Sequence, residues 1–161
     1  MDINILEGYD YPNEIVSLFK EYTNMLIEGD NRFKEYLDMQ NYDNELKDLS
    51  QKYGRPYGRL YIAFCGSEAV GCIALKKNND TSCELKRLYV KPQYRKNKLG
   101  EKLVKQIISD AREIGYSTVF LDTLPFLEAA IYMYKKYGFV EIERYNDSPL
   151  DTSIYMKLDI K

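Results

Sequence analysis

Tyr94-Arg95-Lys96-Asn97-Lys98-Leu99-Gly100-Glu101 is the stretch that decides how this chain is read. It follows an apolar, strand-like segment, Leu88-Tyr89-Val90, and a turn at Pro92. It opens a run in which Leu99, Leu103, Ile107 and Ala111 recur at helical spacing, with Ile114 near the same stripe and Gly115 at the end. A strand, a basic turn and a helix start together form an anion site. The first N–H groups of a helix have no intrahelical partner, and the helix dipole favours negative charge there. A phosphorylated ligand is the expected occupant.

Downstream, Val119-Phe120-Leu121-Asp122 reads as a strand and Ala129 to Tyr137 as a helix capped by Gly138. Phe139 to Tyr145 and Ile154 to Leu158 read as closing strands. Upstream, residues 2–7 read as a first strand, and a helix starts at Pro12 and ends at Gly29-Asp30. The polar segment from Asn31 to Tyr53 predicts one or two short helices with Leu46 and Leu49 facing inward. Gly54, Pro56 and Gly58 mark a loop. Leu60–Phe64 and Ala69–Leu75 form a hairpin about Gly66-Ser67, and Cys83 to Val90 is the next strand. The order predicts a mixed α/β sheet with helices on both faces.

The chain has 161 residues, of which 45% are hydrophobic, enough for one domain over 1–161 with a real core. Lys plus Arg is 23 against 25 for Asp plus Glu, so the overall charge does not favour nucleic acid. No apolar run approaches the roughly 20 residues of a membrane helix, and the start Met1-Asp2-Ile3-Asn4 does not read as a signal peptide. Cys65, Cys72 and Cys83 lack CxxC spacing and read as small residues of a reduced cytoplasmic protein. There is no histidine. Ser-His and Cys-His nucleophile pairs are therefore impossible, the usual nitrogen ligands of zinc are missing, and no metal site is expected.

The second half resembles the GCN5-related N-acetyltransferase (GNAT) family. The resemblance lies in Val90-Lys91-Pro92-Gln93-Tyr94-Arg95 through Gly100, the helix that follows, Leu121-Asp122-Thr123, and Ala130-Ile131-Tyr132-Met133-Tyr134-Lys135-Lys136-Tyr137-Gly138-Phe139. It implies the acyl-CoA N-acyltransferase fold: a mostly antiparallel central sheet, helices on both faces and a splayed central strand pair. It also implies acetyl transfer from acetyl-coenzyme A to an amine acceptor. The family's phosphate motif maps onto Arg95, Lys96, Asn97, Lys98, Leu99 and Gly100, with Glu101 next in the helix. Lys98 stands where the family has glycine, a residue used where backbone needs positive φ or close approach. A lysine in that conformation costs about 1 kcal/mol, so either the loop carries that strain or it takes another path.

The resemblance gives backbone pairing with the pantetheine arm, and polarisation of the thioester carbonyl, to Leu88, Tyr89 and Val90. It gives thiolate protonation to Tyr134. Leu127 stands where many members carry a cofactor-contacting asparagine. Amine acetylation by direct attack also needs a base, and Glu84 is the leading candidate. Strict alternation would place Glu84, Lys86, Leu88 and Val90 on one face of their strand. Tyr57, Asp122 and Tyr145 are candidate acceptor-binding residues, and Glu84, Asp122 and Asp147 would suit a cationic amine. The competing reading is a non-catalytic CoA-binding sensor or partner module. A nucleic-acid surface built on Lys86, Arg87, Lys91, Arg95, Lys96, Lys98 and Lys102 is the weaker third, because a phosphorylated cofactor already accounts for the cluster. A monomer or homodimer that spans no membrane is expected.

Overall fold

The computed structural model describes residues 2–161. Seven strands form one sheet: β1 (Ile3–Glu7), β2 (Arg59–Cys65), β3 (Glu68–Lys77), β4 (Ser82–Val90), β5 (Thr118–Thr123), β6 (Val140–Ile142) and β7 (Ile154–Asp159). Their spatial order is β1-β2-β3-β4-β5-β7-β6. Among the described residues, only β4 and β5 pair in parallel, and the other five pairings are antiparallel. The helices are α1 (Pro12–Gly29), α2 (Phe33–Met39), α3 (Tyr42–Lys47), α4 (Leu49–Tyr53), α5 (Leu99–Ile114) and α6 (Glu128–Lys136).

Two cores lie on opposite faces of the sheet. On one, α5 buries Leu99, Leu103, Val104, Ile107, Ile108 and Ala111 against β3, β4 and β5. Each large side chain so buried contributes about 1.5–3 kcal/mol over its exposed state. Gly115 ends this helix in the left-handed region at φ 111°, which its missing Cβ permits. On the other face, α1 brings Ile15, Leu18, Phe19 and Leu26 onto Leu60, Ile62, Cys72 and Ala74, and α2, α3 and α4 complete the layer.

Most element boundaries follow the sequence pattern. The segment from Asn31 to Tyr53 forms three short helices, one more than expected, with Leu49 buried and Leu46 half-buried. β6 is shorter than the expected Phe139–Tyr145, because Arg144 turns away to donate to the carbonyls of Asn146 and Ser148. Cys72 and Cys83 are buried and Cys65 half-buried.

Strict alternation fails in β4, and the site depends on that failure. Cys72 of β3 faces Tyr89 and Ala74 faces Lys86, so Arg87 and Leu88 together oppose Ile73 alone. Arg87 takes φ 61°, and the result is a β-bulge. Before it, Cys83 and Leu85 point to the α5 face. After it, Leu88 and Val90 do, while Tyr89 joins the α1 face. Glu84 and Lys86 therefore lie on the face opposite to Leu88 and Val90.

Candidate active site

β4 and β5 pair only from Ser82–Thr118 to Glu84–Phe120. Beyond Glu84, β4 stays with β3 and β5 stays with β7. The two central strands part, and two cavities that share lining residues occupy the opening.

The larger cavity, about 420 Å³, runs between the backbone of Leu88, Tyr89 and Val90, the turn Arg95–Glu101, and α6. Pro92–Asn97 forms a 3₁₀ turn, and Lys98 then takes φ 57°, ψ 24° as the residue entering α5. The loop thus keeps a left-handed backbone despite the lysine, and carries strain of about 1 kcal/mol. Lys102 N–H donates to the Lys98 carbonyl, so the N–H groups of Leu99, Gly100 and Glu101 precede the first helical bond and remain for an anion. Arg95 is tied back: its Nε donates to the Val90 carbonyl at 2.9 Å, and its guanidinium stands over the Tyr89 ring. Lys96 and Lys98 are exposed on the cavity rim. Glu101 accepts from Lys136 Nζ and Tyr137 Oη, both at 2.8 Å, and these bonds hold its carboxyl below the usual range. A methyl added at Gly100 would lie 3.7 Å from Met133 Sδ, an ordinary contact, so glycine here keeps the groove wide rather than avoiding a clash. A 16-residue helix N-terminus flanked by lysines, opening onto an elongated groove, fits a diphosphate carrying a long arm.

The smaller cavity, about 30 Å³, lies on the α1–α2 side and shares Tyr22, Leu88, Leu127 and Tyr134 with the larger. Tyr134 is buried at this junction with its ring against Phe139, and its hydroxyl makes no hydrogen bond among the described residues. Burial, with smaller contributions from Tyr22 and Asp122, pushes its phenol well above the ordinary value. The gap to a thiol near pKa 8.5 is wider than reference values give.

Asp122 lines the smaller cavity and accepts a hydrogen bond from Tyr36 Oη. Asn146 Nδ2 donates to that Tyr36 oxygen at 2.9 Å. Glu84 is buried but lines neither cavity; it accepts from Tyr145 Oη at 3.0 Å and lies 4.0 Å from Lys86 Nζ. Tyr145 is 38% exposed but packs on Phe120 and Tyr155, and desolvation of its hydroxyl end with Glu84 beside it raises its phenol. Glu84, Asp122 and Tyr145 are thus brought together. Tyr57 is not: its ring is capped by Lys77, its carbonyl accepts from Tyr116, and it lines neither cavity. Tyr145 also lines neither cavity. Asp147 is exposed.

Sequence reasoning missed four polar residues of this region. Lys86 and Arg87 are buried, not part of a basic surface. Arg87 Nε and Nη2 donate to the Glu45 carboxylate, each at 2.9 Å, and Lys86 Nζ donates to Gln40 Oε1 at 2.8 Å. The signal was a charged pair inside a strand flanked by apolar Leu85 and Leu88; their partners, Glu45 and Gln40, lie more than forty residues away in sequence.

A family model described as the acetyltransferase (GNAT) family matches residues 17–139. An uncharacterised N-acetyltransferase of Schizosaccharomyces pombe is 41% identical over 126 residues, which cover 77% of this chain and 77% of that protein. A GNAT-family acetyltransferase structure from Staphylococcus aureus superposes with TM-score 0.78 at 26% identity, covering 99% of this chain and all of the other. The PaiA N-acetyltransferase of Thermoplasma acidophilum, solved with coenzyme A, shares the fold with TM-score 0.74 at 23% identity over 99% of each chain. With the parted strands, the phosphate-loop geometry and the match over residues 17–139, the chain belongs to the GNAT acetyltransferase family.

Proposed function

We propose that residues 1–161 act as one domain that moves the acetyl group of acetyl-CoA to a primary amine by direct attack. The observation that supports this most is the position of Tyr134 where the larger cavity meets the smaller one. A thioester reaching that junction from the larger side would meet an amine from the other. Acetyl-CoA, once bound, supplies the activated acetyl group and a thiol leaving group.

In this reading the N–H groups of Leu99, Gly100 and Glu101 bind the pyrophosphate, aided by Lys96 and Lys98. The edge of β4 at Leu88, Tyr89 and Val90 holds the pantetheine arm and turns an N–H toward the thioester carbonyl. Such a donor is worth about 3 kcal/mol where it has been measured in other enzymes. Asp122 orients the incoming ammonium. Glu84, one layer behind, takes its proton through a water. The amine nitrogen bonds to the carbonyl carbon, the carbon–sulfur bond breaks as Tyr134 gives its proton to the sulfur, and the extra proton left on the new amide nitrogen returns Tyr134 to its phenol. Glu84→Gln is expected to flatten the acid limb of the kcat/KM–pH profile while acetyl-CoA still binds. An unaltered limb would move the base to Asp122.

Lys98 supports the reading by its conformation. Lys98→Gly is expected to leave stability within about 0.5 kcal/mol, because relieved strain and added unfolded-state freedom offset each other. It should weaken acetyl-CoA binding about fivefold at low salt, with the difference shrinking as salt rises. Titration calorimetry at two salt concentrations checks this, and equal affinities for both proteins at low salt would remove the side chain from the phosphate site.

A further inference from the structure

The smaller cavity contains a polar group that the protein itself leaves unsatisfied. Among the described residues, Gln40 Nε2 is the one buried side-chain nitrogen or oxygen without a hydrogen-bond partner, and Gln40 lines this cavity. Its amide orientation is dictated by its neighbours. Oε1 accepts from Lys86 Nζ at 2.8 Å and from Arg87 Nη2 at 3.0 Å. Rotating the amide would set its N–H groups against two cationic donors. Gln40 therefore presents a buried donor for which the surrounding side chains provide no acceptor, a costly arrangement unless something else accepts from it.

Three charged groups line the same cavity from opposite sides of the parted strands: Lys86 and Arg87 from β4 and Asp122 from β5. Around them the charges balance. Glu45 pairs with Arg87 and Lys52, each at 2.9 Å, and Glu84 lies 4.0 Å from Lys86. With Asp122, three carboxylates stand against three cations. A ligand buried here with a net charge would leave an uncompensated charge in a dry site, whereas a zwitterion would not.

We propose that the acceptor is a compact amino-carboxylate bound as its zwitterion, with its ammonium toward Asp122 and its carboxylate taking the Gln40 N–H and the Lys86 ammonium. This rests on the acetyltransferase reading above and narrows its substrate class. Diamines and polyamines would add positive charge and leave Gln40 unsatisfied.

The test uses matched acceptors: glycine and β-alanine against methylamine, ethylamine and the two amino-acid amides. Thiol release from acetyl-CoA is measured for each, and in parallel the shift in melting temperature that each acceptor causes without acetyl-CoA. The wild-type protein should favour the amino-carboxylates at least tenfold in kcat/KM, and only they should raise the melting temperature. Gln40→Glu should erase that preference through KM with kcat little changed, and Gln40→Met, which lacks the N–H without adding charge, should weaken it. Equal or better turnover of the carboxylate-free amines by wild type would overturn the proposal and leave acetyl transfer standing. Amino-carboxylate stabilisation without thiol release from any acceptor would keep the binding site and remove the transfer reading. Neither response would remove both.

Discussion

Replacing Tyr134 with phenylalanine is expected to lower kcat about a hundredfold, the lower end of what a positioned general acid contributes. Affinity for acetyl-CoA should stay within about twofold, because the lost hydroxyl acts on the leaving group rather than on the bound cofactor. The expectation rests on three features. Tyr134 lines both cavities, its hydroxyl is not committed to another protein group among the described residues, and burial keeps the phenol protonated at any working pH. The ring contact with Phe139 survives in the variant, so stability should change little. Steady-state kinetics with calorimetric binding separates the two effects, and unchanged kcat would remove Tyr134 as the acid. Nearby Tyr132 is largely exposed and Tyr137 is tied to Glu101, so neither substitutes for it.

Glu45→Gln is expected to destabilise the fold by about 3–5 kcal/mol, the usual result of leaving a buried partner charge uncompensated. Arg87 is buried and donates twice to Glu45; the variant leaves it Gln40 Oε1 and the Tyr42 ring face. Burial alone would raise the Glu45 carboxyl, but Arg87 and Lys52 hold it down to about 2. The folded value is below the unfolded one, 4.5, so this contribution is fully present above pH 4.5 and is lost as pH falls toward 2. It amounts to about 3 kcal/mol at neutral pH, from roughly 1.4 kcal/mol per pH unit. Wild type should therefore lose urea resistance steeply between pH 4.5 and 2.5, and Glu45→Gln should lose much less across that window. A loss under about 1 kcal/mol at neutral pH would show that the pair only breaks even.

This pair also shapes the site. Arg87 sits at positive φ in the bulge, a conformation that costs a non-glycine residue about 1 kcal/mol or more and persists only where its surroundings impose it. Glu45 and Gln40 supply that restraint by holding the guanidinium under α2 and α3. The bulge then turns Leu88 and Val90 to the α5 face while Lys86 stays toward the smaller cavity.

How far the sequence carried the account differs from one part of the molecule to another. The helical period of α5, the strand before it and the order of the remaining elements are local signals, and they anticipated the sheet and the turn that opens α5. Lys98 is the instructive case: the glycine conformation is kept, so the backbone demand of the loop outweighs the preference of the residue placed there. The acceptor side was far less legible. Strict alternation misplaced Glu84 relative to Leu88 because nothing local marks a bulge at Arg87. Lys86 and Arg87 look like surface charge until Gln40 and Glu45 are brought beside them from more than forty residues away. Tyr57 precedes the first hairpin in sequence, yet its ring lies under Lys77 and it lines neither cavity.

The central claim is that this protein transfers an acetyl group across the junction at Tyr134. Its most direct test incubates the full chain with acetyl-CoA and a broad amine panel, following free thiol and the mass of each amine together. The account predicts acceptor-dependent thiol release matched one for one by an amine heavier by one acetyl group. Tight coenzyme A binding with no amine-dependent thiol release from any acceptor would contradict it.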